Sequence, residues 1–394
     1  MFGRFKQKFT FLFLVLIIFG SFGLGIWFGK TQTVCQICPP EKVDFSLFWQ
    51  AWEKIQEKYV DKGNLNVQDM IYGAVAGMVN SLGDPYTVFM EPEDAKVFTE
   101  DVKGSFEGVG MEIGSRDNKL KVIAPLEGSP AKEAGLMAGD EIVEIDGTST
   151  AGIYVMDAVK MIRGTKGTEV SLGIMREGWQ EMKIFKIVRK TIEIPSLNLE
   201  IRDDNIAYLQ LYQFSEKASY DFQKAAIRIL ESPAEKIVLD LRNNPGGYLE
   251  VAQDIAGWFL EKGQTVAIED FGEGREDQYY KAQGNSQLNS YQVVVLINEG
   301  SASASEILAG ALRDNQEVKL IGETSFGKGT VQEMEKLKGG SSIKITVAKW
   351  LTPNGDLITS KGLDPDIKVE LSAEDYEEGR DPQLERALEF LKSL

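Results

Sequence analysis

YQVVVLINEGSASASEILAGALRDN, residues 291–315, decides the fold. Its Val/Leu/Ile run has no polar alternation, which predicts a strand covered on both faces, as in a parallel sheet flanked by helices. The run stops at Asn298-Glu299-Gly300, crosses a turn of small residues and resumes as a helix near Ser305. Such a turn can lift a hydroxyl above a sheet while the N–H groups of the helix face developing negative charge. Three serines compete for that role, Ser301, Ser303 and Ser305, and Ser305 reads best as the N-cap. A Gly/Ser-rich turn that only caps a helix needs no chemistry. A nucleophile here therefore requires a base.

The chain has no histidine, which removes Ser-His-Asp and Cys-His catalysis and every metal site built on imidazole. The usable base is then a lysine kept neutral by burial, because desolvation lowers an ammonium pKa. IGETSFGKGTVQ, residues 321–332, offers Lys328 between two glycines after an apolar strand. Gln332, four residues on, could hold the amine without adding charge. A surface lysine in a glycine loop is the plainer reading of that pattern by itself.

Outward from these stretches the chain alternates strands and helices. IAYLQLYQF (206–214), KIVLDLR (236–242) and VKLIG (318–322) read as strands; KASYDFQKAAIRIL (217–230), YLEVAQDIAGWFL (248–260) and SEILAGALRD (305–314) read as helices. This is an α/β core. SSIKITVAKWLTP (341–353), followed by Pro353-Asn354-Gly355, predicts an antiparallel addition, and Pro382 to Leu394 a C-terminal helix.

With 394 residues the chain should form two or more domains. Its 43% hydrophobic and 26% charged residues suit a globular protein, and a net charge of −17 without a basic run argues against nucleic-acid binding. Between Lys8 and Lys30 lie 21 uncharged residues, enough to span a bilayer, preceded by Arg4, Lys6 and Lys8. That positive flank predicts the N-terminus inside and the rest of the chain outside the membrane. A cleavable signal peptide would have a shorter apolar region and a small-residue cleavage site. Cys35 and Cys38 form a lone C-x-x-C in the linker that follows, too few ligands for zinc, and a disulfide is the modest reading. Between 43 and 104, Phe45, Phe48, Trp52, Ile55 and Tyr59, then Met70, Ala74 and Met78, recur at helical spacing. This predicts a helical pair, either simply packed or part of a dimer surface.

From Ser105 the texture changes to short strands and glycine turns. The Gly108-Val109-Gly110-Met111 loop, the SPAKEAGL helix with Ser129 as N-cap, and the GDEIVEIDG unit resemble a PDZ domain over 105–189. A glycine-rich loop before a strand leaves N–H groups free for a terminal carboxylate while the strand edge pairs with an extended peptide. Val155, Val159 and Ile162 would line the apolar side of such a groove.

VLINEGSASASEILAGAL, GETSFGKGTVQ, VLDLRNNPGG, WLTPNGDLI and GDPYT together resemble the carboxyl-terminal processing protease family across most of Val43 to Val369. The resemblance implies a serine endopeptidase with Ser303 as nucleophile, Lys328 as base, Gln332 as its support, and the N–H groups of Gly247 and Ala304 as oxyanion hole. It also implies cleavage of proteins with free apolar C-termini, bound by the PDZ domain through Gly108, Val109, Gly110, Met111 and Val159, with no metal or organic cofactor. The expected multi-domain α/β organisation is a cytoplasmic stretch at 1–8, a transmembrane helix at 9–29, a linker at 30–42, a helical region at 43–104, the mainly β PDZ domain at 105–189, a protease core with added antiparallel strands at 190–372, and a helical segment at 373–394. A homodimer would form through the N-terminal or C-terminal helices.

Overall fold

The computed structural model of the chain describes residues 20–21 and 43–394, apart from 117–118, 127, 177 and 360. No helix among them is long and apolar enough to cross a membrane. The anchor expected over 9–29 lies outside the described residues except for helical Gly20 and Ser21, and so do Cys35 and Cys38.

The chain divides into two units, residues 1–70 and 71–394. In the first, α1 (Ser46–Lys58) carries an aromatic cluster in which Phe48 meets Trp49 and Trp52 at ring-centroid distances of 5.1 and 6.0 Å. The helix α2 (Val67–Asn80) runs into the second unit. The expected pair of helices has a third member. After β1 (Val88–Met90), α3 (Pro92–Lys103) starts with proline in its first turn, carries Glu93 and Asp94 there, and stops at Gly104. Those are ordinary start and stop signals.

The next module is built from β2 (Ser105–Gly108), β3 (Met111–Arg116), β4 (Lys119–Pro125), α4 (Pro130–Glu133), β5 (Glu141–Ile145), β6 (Thr148–Ser149), α5 (Val155–Ile162), β7 (Glu169–Met175), β8 (Lys183–Val188) and β9 (Lys190–Glu193). One sheet has the order β3-β4-β5-β7-β8 with β6 on β5, while β2 and β9 pair separately and bring the module's two ends together. Ser129 caps α4 as expected, its Oγ accepting from Lys132 N at 3.2 Å.

The α/β core is built on a six-stranded sheet of order β10-β11-β12-β15-β16-β19. Its strands are β10 (Leu197–Ile201), β11 (Ile206–Leu211), β12 (Lys236–Asp240), β15 (Gln292–Ile297), β16 (Lys319–Gly322) and β19 (Ile367–Lys368), parallel except for β10. Successive side chains point to opposite faces. Ile237, Leu239, Val293 and Val295 therefore pack under α6 (Ala218–Leu230), α7 (Leu249–Phe259) and α8 (Ala304–Gln316), whereas Val238, Val294, Leu296 and Ile321 pack under the C-terminal helix. Burial on both faces explains the unbroken apolar runs.

A second sheet joins β1 to β18 (Ser342–Leu351), then to β13 (Thr265–Asp270) and β14 (Gln278–Lys281), with β17 (Thr330–Lys336) also on β18. The expected antiparallel strand is thus the centre of a larger sheet. The chain ends in α9 (Ala373–Glu378) and α10 (Pro382–Ser393).

A buried polar cluster holds α10 in place. Tyr208 donates to Asp240 at 2.7 Å, and Arg242 bridges Asp240 and Asp381 with bonds of 2.7 Å to each. Arg242 also donates to Gln383 at 3.0 Å, and Asp381 caps α10 through Leu384 N at 2.9 Å. Burial alone would raise the Asp381 carboxyl, but the Arg242 guanidinium and the N–H groups at the helix start outweigh it and hold the group below its ordinary value. A depressed folded pKa means the stabilisation is present above the unfolded carboxylate value and lost as pH falls through the folded one. Asp381→Ala is expected to cost about 1–3 kcal/mol at neutral pH, discounted for its partial exposure. Denaturant unfolding at neutral and acidic pH checks this, and the gap to wild type should shrink in acid.

Candidate active site

The carboxyl ends of adjacent parallel strands form a crevice where loops carry function. β12 and β15 are such neighbours, and their loops are laced together. Asn243 N donates to Asn298 Oδ1 at 2.8 Å and Asn298 Nδ2 to Asn243 Oδ1 at 2.9 Å. Ala302 N donates to the Asn244 carbonyl at 3.0 Å, and the Asn244 side chain donates to the Leu211 carbonyl at 2.7 Å.

The three serines of the turn separate cleanly. Ser301 Oγ donates to the Leu241 carbonyl at 2.8 Å, Ser305 Oγ donates to the Asn244 carbonyl at 2.9 Å, and both residues are fully buried. Their hydroxyls are stitches between the two loops. Ser303 is partly exposed and sits at φ 56°, ψ −114°, an uncommon conformation for a residue with a Cβ. The helix starts at Ala304, so the N-cap is Ser303 and not Ser305, which instead lies within the first turn. The local signal for this was the spacing Ser303-x-x-Glu306, the pattern of a capping box.

Glu306 is the residue that the sequence reading passed over. It is 1% exposed and collects donors from both halves of the site. Its Oε1 accepts from Ser325 Oγ at 2.6 Å and Gly327 N at 2.7 Å; its Oε2 accepts from Ser303 N at 2.9 Å and Lys328 N at 3.0 Å. The backbone nitrogens of Ser303 and Lys328 are therefore separated by a single oxygen atom. Burial pushes this carboxyl up, and the four donors act in the opposite direction.

Lys328 is part-buried and its ammonium lies 6.0 Å from the centre of the Tyr86 ring. Burial lowers its pKa, the nearby Lys344 charge lowers it further, and Glu306 opposes both. Gln332 lies on β17 opposite Thr346, and its Nε2 donates to Thr330 Oγ1 at 2.6 Å. No hydrogen bond joins Ser303 Oγ, Lys328 Nζ and Gln332 to one another among the described residues. The structure gathers the two loops but leaves these side chains unbonded to each other.

Gly247 has φ 145°, and a Cβ there would lie 2.2 Å from the Phe214 carbonyl oxygen, so no larger residue fits. Its N–H bonds to no described residue outside the regular elements, and the N–H of Ala304, first in α8, has no intrahelical acceptor. Ala304 follows Ser303 in the chain, and it is Gly246, the neighbour of Gly247, that lies against Ser303: a Cβ on Gly246 would fall 2.8 Å from Ser303 Cβ and 2.9 Å from Ala304 N.

In the PDZ-like module, Gly108 ends β2, Gly110 has φ 73°, and Met111 opens β3, the end strand of its sheet. α5 packs beside β3 and leaves Val159 part-buried. The Val109 side chain is 1% exposed in the module's core, so what Val109 has to offer a peptide is its backbone, the part on which the loop reading rests. Ile162 is core too. No group of three or more His, Cys, Asp or Glu among the described residues could hold a metal ion.

Comparison with known proteins follows the same divisions. Residues 205–369 match Peptidase family S41, residues 97–175 match the PDZ domain, and residues 30–94 match the Activating protease CtpB N-terminal domain. The chain is 39% identical over 322 residues to the carboxy-terminal processing protease CtpA of Bacillus subtilis, covering 82% of this chain and 68% of that protein. It is 38% identical to the carboxy-terminal-processing protease of Bartonella bacilliformis, over 86% and 77% of the two chains. A solved photosystem II D1 C-terminal processing protease aligns with a TM-score of 0.51 at 28% identity, covering 82% of this chain and 92% of that one. With matched domains, similar relatives and a similar fold, this chain belongs to the carboxy-terminal processing proteases of Peptidase family S41 and is a serine-type peptidase with a PDZ domain.

Proposed function

We propose that this peptidase is a membrane-anchored endopeptidase that cuts the C-terminal regions of extracytoplasmic proteins through Ser303, Lys328 and Gln332. One observation carries the reading: the partly exposed serine of the turn and the half-buried lysine of the next loop hang by their backbone nitrogens from one oxygen of the buried Glu306 carboxylate. Ser303 Oγ attacks the scissile carbonyl as neutral Lys328 takes its proton, and the N–H groups of Gly247 and Ala304 receive the oxyanion. Lys328 then returns the proton to the leaving amine, and water releases the acyl group from Ser303 by the same relay. In this reading Gln332 leaves Thr330 and orients the amine when substrate fills the crevice.

The PDZ domain supplies the choice of substrate, taking a free apolar C-terminus between the Gly108–Met111 loop, the edge of β3 and Val159 on α5. The anchor is residues 9–29, with residues 43–104, 105–189, 190–372 and 373–394 beyond the membrane and a homodimer formed through the N-terminal or C-terminal helices. The test is to incubate the chain with an unfolded protein bearing an apolar C-terminal tail and to map the products by mass spectrometry. Cuts near that terminus, reduced when the tail ends in charged residues, are expected; a tail ignored by the enzyme would remove the C-terminal reading while leaving the peptidase.

A further inference from the structure

β18 carries a second lysine to the side of the sheet where Gln332 stands. The register Gln332↔Thr346, Glu333↔Ile345, Met334↔Lys344 runs without interruption, and the one irregularity falls before it, between Val331 and Gln332. Residues two apart on a strand share a face, so Lys344 and Thr346 lie on the face that bears Gln332. At this separation a diagonal cross-strand pair is within reach of long side chains.

The other edge of β18 is covered by the segment Gly83-Asp84-Pro85-Tyr86-Thr87, a stretch the sequence singled out without giving it a task. β1 pairs Val88 with Lys344, and the turn before it is braced by Asp84, which accepts from Tyr86 N at 3.0 Å and Thr87 Oγ1 at 2.6 Å. Thr87 Oγ1 in turn accepts from Thr346 N at 3.0 Å. The turn is thereby pinned to β18 two residues from Lys344, and it brings the Tyr86 ring to Lys328. Lys344 Nζ lies 5.1 Å from the centre of the Phe98 ring of α3. Both lysines are part-buried beside an aromatic face, and neither ammonium has a carboxylate within ion-pair distance among the described residues.

The groups facing these lysines come from four elements. α8 presents Glu306, whose oxygens are already occupied by four donors; the turn before β1 presents Asp84 and the Tyr86 phenol; β18 presents Lys344; and α3 presents only the Phe98 ring. Glu333 and Glu335 of β17 alternate to the opposite face from Gln332. Burial lowers the Lys344 pKa and the Asp84 carboxylate opposes it by favouring the ammonium, while the Lys344 charge in turn opposes a charge on Lys328.

We infer that Lys344 is a positioning residue for the peptidase reaction, a second cation whose charge keeps the Lys328 amine unprotonated and so able to take the Ser303 proton. The inference rests on the reading of Lys328 as general base. Removing a like charge makes the protonated form of Lys328 less costly, so its pKa must rise.

The experiment is the pH profile of kcat/KM for the full chain and for Lys344→Met, Lys344→Gln and Lys344→Arg, with thermal melting of each. In the neutral variants the acidic limb should move up by about one pH unit, giving about tenfold less activity below the limb and wild-type activity on the alkaline plateau. Lys344→Arg, which keeps the charge, should keep the limb. A folded neutral variant with an unmoved limb overturns the proposal, as does an equal loss at every pH or failure of both neutral variants to fold, each of which marks Lys344 as structural. Lys328→Ala separates the two claims: if that variant stays active with its limb in place, the base assignment falls whatever the Lys344 variants do.

Discussion

Ser303→Ala is expected to lower kcat/KM by about 10,000-fold or more, with the melting temperature within a degree or two of wild type. Alanine keeps the Cβ, so the backbone strain at φ 56° is unchanged, and the capping bond from Ser303 N to Glu306 survives because it uses the main chain. Lys328→Met keeps the apolar stem and removes the amine, and a loss of similar size is expected. The informative measurement is the double variant. Groups that act as one relay lose their effect together, so Ser303→Ala combined with Lys328→Met should be no worse than either alone. Multiplying losses in the double variant would show that the two side chains do not work as a unit, and the mechanism proposed here would have to be abandoned.

Glu306 should rank next, and its two replacements should fail differently. The amide introduced by Glu306→Gln has one acceptor oxygen where the carboxylate has two, so its NH2 group must face N–H or O–H donors that now bond to a carboxylate oxygen. The backbone of either Ser303 and Lys328 or of Gly327 must give way. A loss of about 100-fold or more in kcat/KM is expected in a chain that still folds. Glu306→Ala leaves three N–H groups and the Ser325 hydroxyl without their acceptor in a closed interior, at a cost of about 3–5 kcal/mol in stability. Paired measurements of kcat/KM and denaturant unfolding check both. A Glu306→Gln enzyme with wild-type kinetics would mean that the carboxylate does not set the alignment of the two loops.

The legible parts of this fold are those whose signal is local. Val293 to Ile297 announces a strand buried on both faces because one face meets α8 and its neighbours and the other meets α10. Ser129-Pro130 announces a helix start because the cap and the first turn are adjacent in sequence. β17 gave no such signal: Thr-Val-Gln-Glu-Met-Glu-Lys has no fully buried residue, and it is a strand because β18 lies beside it. β13 and β14 likewise depend on partners far along the chain. In the site, the absence of histidine pointed to a lysine and the family resemblance to Ser303, but the bonds that occupy the Ser301 and Ser305 hydroxyls go to Leu241 and Asn244, some 60 residues away. Glu306 was hidden for the same reason. Its partners Ser325, Gly327 and Lys328 belong to another loop, and only the capping-box spacing to Ser303 could have drawn attention to it.

The backbone at Ser303 also limits how this protein can evolve. Its conformation, φ 56° and ψ −114°, costs on the order of 1–3 kcal/mol for any residue with a Cβ. Glycine is the one residue type that would relieve that cost, and glycine has no hydroxyl to give. In the proposed mechanism, selection for a more stable turn and selection for a working nucleophile therefore exclude each other at this position, and stabilising changes must accumulate elsewhere in the chain.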